Sequence, residues 1–109
     1  MTETGRRTSV ITQTRTRLRS PSMYNVIMYN DDFTSMDFVV MVLMVVFDYD
    51  RSTATETMMT IHNSVKQVVG HYAKTVAEFK IQQCNELKKE QGFPWFRVEM
   101  ERENGEDEQ

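Results

Sequence analysis

Residues 30–47 read NDDFTSMDFVVMVLMVVF, and the assignment of this stretch decides the fold. Val39, Val40, Val42, Val45 and Val46 favour a strand, because β-branched side chains pack well on a pleated surface. The start of the stretch carries helix chemistry instead. Thr34 is placed to act as N-cap, with Asp37 at N3 as a short capping box. Phe33 and Phe38 stand where a hydrophobic staple needs them. An apolar run of this length also suits a helix buried on most sides. The segment is read as a helix from Ser35 to Phe47.

Working outward, Met23 to Tyr29 is rich in strand formers and is bounded by Pro21 and the polar Asn30-Asp31-Asp32 turn. After the first helix, Asp50 or Ser52 can cap a second that runs to about Ser64. Its Ala54, Met58, Ile61 and Val65 recur at helical spacing. Gln67 to Tyr72 is a short strand with a glycine inside it. Lys74 to Gln91 is a third helix, with Val76, Ala77, Ile81, Cys84 and Leu87 on its apolar side. Gly92 and Pro94 supply its stop. Phe96 to Glu101 alternates with period two, Phe96, Val98 and Met100 facing inward. The order β-α-α-β-α-β implies an α+β fold: a small two-layer sandwich, with a three-stranded antiparallel sheet packed against three helices.

The 109 residues suffice for one domain with a modest core. An apolar share of 39% is a little low for a globular chain and points to solvated ends. Residues 1–21 read as a flexible extension, residues 22–101 as the folded domain and residues 102–109 as an acidic tail. The net charge of −3 is unevenly spread: five arginines (Arg6, Arg7, Arg15, Arg17, Arg19) face only Glu3 at the start, and acids dominate the end. A basic arm without aromatic or glycine-rich recognition motifs is a poor case for nucleic-acid binding. The apolar run is about half the ~20 residues a membrane span needs. The single Cys84 excludes a disulfide framework within the chain and fits a reducing, cytoplasmic compartment.

Taken alone, Asn30-Asp31-Asp32 is most simply a turn, because Asn and Asp side chains bond their own backbone there. As a metal site it lacks a second acidic cluster or a histidine pair, so no metal and no cofactor is expected. As an acid/base pair it lacks a nucleophile. His62 falls one helical turn after Met58, with Ile61 beside it. The chain holds nine methionines, a residue that lines irregular or forgiving apolar surfaces. Met36 beside Asp32 and Met58 near His62 then describe an apolar hole with an anionic, hydrogen-bonding rim. Such a hole would receive an ammonium group carried on a large apolar side chain.

The strings SMYNVIMYNDDFTSMDFVV (residues 22–40), MMTIHNSVKQVVGHY (residues 58–72), AEFK and QGFPW resemble the ClpS family of Clp protease adaptors. The segment order is the same from about residue 21 to residue 101. The resemblance implies a substrate adaptor without catalysis, not an enzyme. Such an adaptor reads N-degrons: it binds proteins whose free first residue is Leu, Phe, Tyr or Trp. It delivers them to the N-domain of a ClpA-type AAA+ unfoldase of the ClpAP protease. The partners implied are that unfoldase and the substrate proteins, with no nucleic acid and no membrane, and the adaptor acting as a monomer.

Carried over residue by residue, Asn30, Asp31, Asp32 and His62 would hold the substrate's α-amine. Met28, Tyr29, Thr34, Met36, Val39, Met58, Ile61 and Trp95 would form the hydrophobic pocket, Met36 acting as a gate against β-branched first residues. The chemistry agrees, because an ammonium offers three donors to a carboxylate, an amide carbonyl and a neutral imidazole nitrogen. Thr75, Glu78, Phe79 and Lys80 would form the unfoldase-docking face. The chain departs from the family pattern at Ser35 (usually Pro), Trp95 (often Leu), Asn63 to Val65 (usually with a Gly) and Thr75 (usually Glu). The competing readings are a general protein–protein scaffold without N-degron specificity and a small hydrolase using Asp31, Asp32 and His62.

Overall fold

The computed structural model describes residues 22–103, so the expected extension at 1–21 and residues 104–109 of the expected acidic tail lie outside the described residues. Six elements follow in chain order: β1 (Met23–Tyr29), α1 (Met36–Val45), α2 (Arg51–His62), β2 (Lys66–Ala73), α3 (Lys74–Gln91) and β3 (Arg97–Arg102). The strands form one antiparallel sheet in the order β2-β1-β3. Helix α3 lies across all three strands, and α1 packs on α2. The expected α+β sandwich is the observed architecture.

The valine-rich stretch is helical because tertiary burial outweighs its strand propensity. Phe38, Val40, Val42 and Leu43 of α1 enter the same core as Tyr24, Val26 and Met28 of β1. Each of these side chains, fully buried, contributes on the order of 1.5–3 kcal/mol, against a few tenths lost to β-branching per residue. The cap differs from the expected one. Ser35, not Thr34, is the N-cap, and its hydroxyl accepts from the Phe38 N–H at 3.0 Å. Thr34 is instead turned towards Asp31, whose carboxylate accepts both its N–H (2.7 Å) and its hydroxyl (2.8 Å). The staple does not form either. Phe38 packs on Phe93 and Phe96 in the interior, whereas Phe33 turns outward onto Trp95.

Helix α1 ends two residues before the expected Phe47. Asp48 adopts a left-handed backbone (φ 64°), and the Tyr49 N–H reaches back to the Leu43 carbonyl at 3.0 Å. The Lys80 ammonium, arriving from α3, donates to the Val46 carbonyl at 2.8 Å and lies 3.9 Å from the Asp48 carboxylate. A cation at this end also complements the helix dipole. Asp50 is the N-cap of α2, taking the Thr53 N–H at 2.7 Å, which lowers its carboxyl below the usual range.

Strand β2 is longer than expected at both ends and carries a bulge. Val26 pairs with Gly70 and Ile27 with Val68, so Val69 stands between them without a partner in the register. The Tyr49 hydroxyl satisfies the Val69 carbonyl at 2.7 Å. A Cβ at Gly70 would sit 2.3 Å from the Tyr72 ring, so the ring occupies the space above the glycine. The expected helix-stop glycine behaves as such: Gly92 (φ 83°) and Phe93 both donate to the Lys88 carbonyl at 2.9 Å. Two residues placed on apolar helix faces are exposed, Val65 because it lies beyond α2 and Val76 because it sits on the outer side of α3.

Candidate functional site

A small cleft, open on one side to solvent, lies where the end of β1, the loop before α1 and the facing sides of α1 and α2 converge. Tyr29, Met36, Val39, Met58 and Ile61 supply its apolar wall, and Asn30, Asp31, Thr34 and His62 its polar edge. Helical spacing explains the wall: Met36 and Val39 are three residues apart on α1, while Met58, Ile61 and His62 share one face of α2. Burial grades along it. Ile61 and Met58 are buried at the floor, whereas Met36 is exposed at the opening.

The edge is held by a short network. The Asn30 N–H donates to the Val65 carbonyl at 3.0 Å, tying the end of β1 to the loop after α2. That loop is closed by the Ser64 N–H on the Ile61 carbonyl (3.1 Å) and the Ser64 hydroxyl on the Thr60 carbonyl (2.8 Å). Tyr29 is flanked by two cations, with the Arg97 guanidinium carbon 3.8 Å and the Lys66 ammonium 6.0 Å from the ring centre.

The two aspartates divide their work. Asp31 accepts the Phe33 and Thr34 N–H groups on one oxygen, both at 2.7 Å, and the Thr34 hydroxyl on the other. Its carboxylate therefore folds the loop. Asp32 is exposed and takes no hydrogen bond from any other described residue; neither the Asn30 side chain nor the His62 ring has a partner among them. Three polar groups thus stand unclaimed near one opening.

Of the twelve residues expected for amine and pocket, nine line the cleft. Met28 is fully buried in the core, Asp32 stands on the adjacent loop, and Trp95 is exposed against Phe33. On the expected docking face, Thr75, Glu78 and Phe79 are exposed along α3. Lys80 turns inward: its side chain is 18% exposed and caps α1 while resting over the Tyr72 ring. The role of Lys80 in capping a distant helix has no local sequence signal. The pairing of Phe33 with Trp95 joins segments far apart in the chain and likewise has no local sequence signal.

Among the described residues, no three His, Cys, Asp or Glu side chains lie together as a metal site requires. No helix there is long and apolar enough to cross a membrane. Burial pushes the Cys84 thiol up to about 12, against a smaller downward pull from Lys80, so it is a protonated core side chain at neutral pH.

Comparison with known proteins identifies the family. The family model described as ATP-dependent Clp protease adaptor protein ClpS matches residues 19–96. The ATP-dependent Clp protease adapter protein ClpS of Cupriavidus metallidurans is 40% identical over 92 residues, covering 84% of this chain and 82% of that protein. Its counterpart in Burkholderia mallei is 41% identical over 86 residues, covering 79% and 83%. Among solved structures, Agrobacterium tumefaciens ClpS2 bound to L-phenylalaninamide matches with a TM-score of 0.72 and 37% identity, over 76% of this chain and 99% of that one. With the family model matched over most of its length and relatives about 40% identical to it, the chain belongs to the ClpS family of ATP-dependent Clp protease adaptors.

Proposed function

We propose that the cleft receives the first residue of a substrate protein, and that the protein delivers that substrate to a ClpA-type unfoldase. The bulky side chain of Leu, Phe, Tyr or Trp enters between Met36, Val39, Met58 and Ile61. The free α-ammonium stays at the edge, where the Asn30 carbonyl, the Asp32 carboxylate and a His62 ring nitrogen accept its three protons. Asp31 acts on this site through the loop, by holding Phe33 and Thr34 in place.

The observation that carries the reading is the pairing of an apolar floor with three polar groups that no other described residue engages. The bound molecule of the Agrobacterium relative supports it, since L-phenylalaninamide joins a free α-amine to a large apolar side chain. A scaffold without N-degron specificity would have no use for such a combination. Delivery rests on family membership and on the exposed Thr75, Glu78 and Phe79 of α3, proposed as the unfoldase-docking face.

The test compares a peptide beginning with Phe and the same peptide N-acetylated, by fluorescence anisotropy. The free amine should bind at least ~30-fold more tightly, because acetylation removes the charge and leaves the three acceptors unmatched. Equal affinity for the two would overturn the proposal.

A further inference from the structure

Helix α1 carries more apolar surface than the fold covers. Of its ten residues only Asp37 is charged, and a helix apolar on every side is ordinarily buried on every side. Its inner face enters the core and packs on α2, while Met36 and Val39 turn to the cleft. A third face stays open. Val45 is 60% exposed and Met41 and Met44 are half-buried; with Val40 beneath them they line a shallow groove that shares no residue with the cleft.

Two unpaired charges frame this groove. Asp37 stands in the first turn of α1, and Arg51, the first residue of α2, stands beyond its end. Both are exposed, and neither side chain has an ion pair or hydrogen bond among the described residues. Arg51 sits at the positive end of the α2 dipole, where a helix favours an anion. The acids that flank it in sequence are engaged elsewhere, Asp48 with the Lys80 ammonium at 3.9 Å and Asp50 with the Thr53 N–H at 2.7 Å. A carboxylate that satisfies Arg51 therefore comes from outside this chain.

An acid at one end, a cation at the other and Met and Val between them make the groove complementary to itself. Rotated by half a turn, a second copy sets its Asp37 against Arg51 and its Arg51 against Asp37, with the apolar side chains meeting at the axis. Methionine side chains adapt readily to such a contact. We infer that the α1 groove is an isologous contact between two copies of this chain, closed by two reciprocal Asp37–Arg51 pairs. The contact is small and its pairs lie at the rim, so the dimer is weak and forms at high concentration. Both clefts stay open in it, and the monomer expected from the sequence is the dilute form.

The experiment is sedimentation velocity on the full chain from about 10 µM to about 1 mM, the range for a small interface. The apparent mass should rise with concentration towards that of two chains. Asp37→Arg and Arg51→Asp should each weaken association at least about fivefold, because each turns two attractive pairs into two like-charge contacts. An equimolar mixture of these two variants re-creates both opposite-charge pairs across a heterodimer and should associate as strongly as wild type. The combined Asp37→Arg/Arg51→Asp chain should recover to within about twofold; a chain that has merely lost its fold would show neither rescue. Val45→Lys should abolish association with an unchanged circular dichroism spectrum. Wild type that remains a single chain at about 1 mM overturns the inference and leaves the groove to another partner. Association that survives both single reversals, or that neither the mixture nor the combined variant restores, overturns it equally.

Discussion

Adjacent aspartates should separate stability from binding. In Asp31→Ala the Phe33 N–H, the Thr34 N–H and the Thr34 hydroxyl all lose their acceptor, at original distances of 2.7, 2.7 and 2.8 Å. The Phe33 bond is exposed and the two Thr34 bonds are partly buried, so each is worth well under the charged-acceptor maximum. A total of about 2 kcal/mol is expected, near the upper end of what loss of a helix cap costs. For a domain of this size that is roughly a 10 °C fall in Tm. Asp31→Asn keeps the oxygen that accepts the two N–H groups and should recover most of the loss. Asp32→Ala removes no such contact and should change stability by less than about 0.5 kcal/mol. Its effect appears on the ligand, with Phe-initiated peptide binding about 30-fold more weakly for want of the charge that faces the ammonium. Urea denaturation followed by circular dichroism gives the first quantity, and anisotropy with a labelled peptide the second. If the two alanine variants lose stability and affinity in the same proportion, the division between a folding carboxylate and a binding carboxylate is wrong. An Asp31→Asn variant that binds as weakly as Asp32→Ala would equally show that the Asp31 charge contacts the amine.

Met36→Ala should admit peptides beginning with Ile or Val, which wild type should bind far more weakly than Leu or Phe; equal affinities for Leu and Ile in wild type refute the gate. Lys80→Met keeps the aliphatic stem but withdraws the donor from the Val46 carbonyl, so it should cost about 1–2 kcal/mol in urea denaturation even without any partner present. Asp48→Gly relieves a left-handed backbone while giving up an exposed ion pair, and should stabilise the fold by about 0.5 kcal/mol. Burial raises Cys84, Tyr49 and Tyr72 above their ordinary values. The unfolded chain therefore releases these protons first, so stability should be full below about pH 9 and fall as pH rises towards 12. A urea midpoint that stays constant from pH 8 to pH 11 would contradict this.

The sequence by itself determined the order of the elements, because each boundary rests on local chemistry. Asp50 caps α2 and Gly92 ends α3 wherever the rest of the chain lies. It also determined the apolar side of the cleft, since Met58, Ile61 and His62 share a helix face by spacing alone. Tertiary structure decided matters that local pattern leaves open. Val40 and Val42 became helical because the core received them, and Thr34 turned to Asp31 while Ser35 took the cap. Lys80 left the outer face of α3 because an open carbonyl at the end of α1 lies 2.8 Å from its ammonium, 34 residues away in the chain. Phe33 left the staple because Trp95, brought near only by the return of β3 to the sheet edge, offered a ring to stack on. Caps, turns and periodicity are contacts within one or two helical turns, so they can be read from a string of residues. Competition for a hydrogen-bond acceptor or an aromatic face between distant segments is settled only when the chain closes on itself.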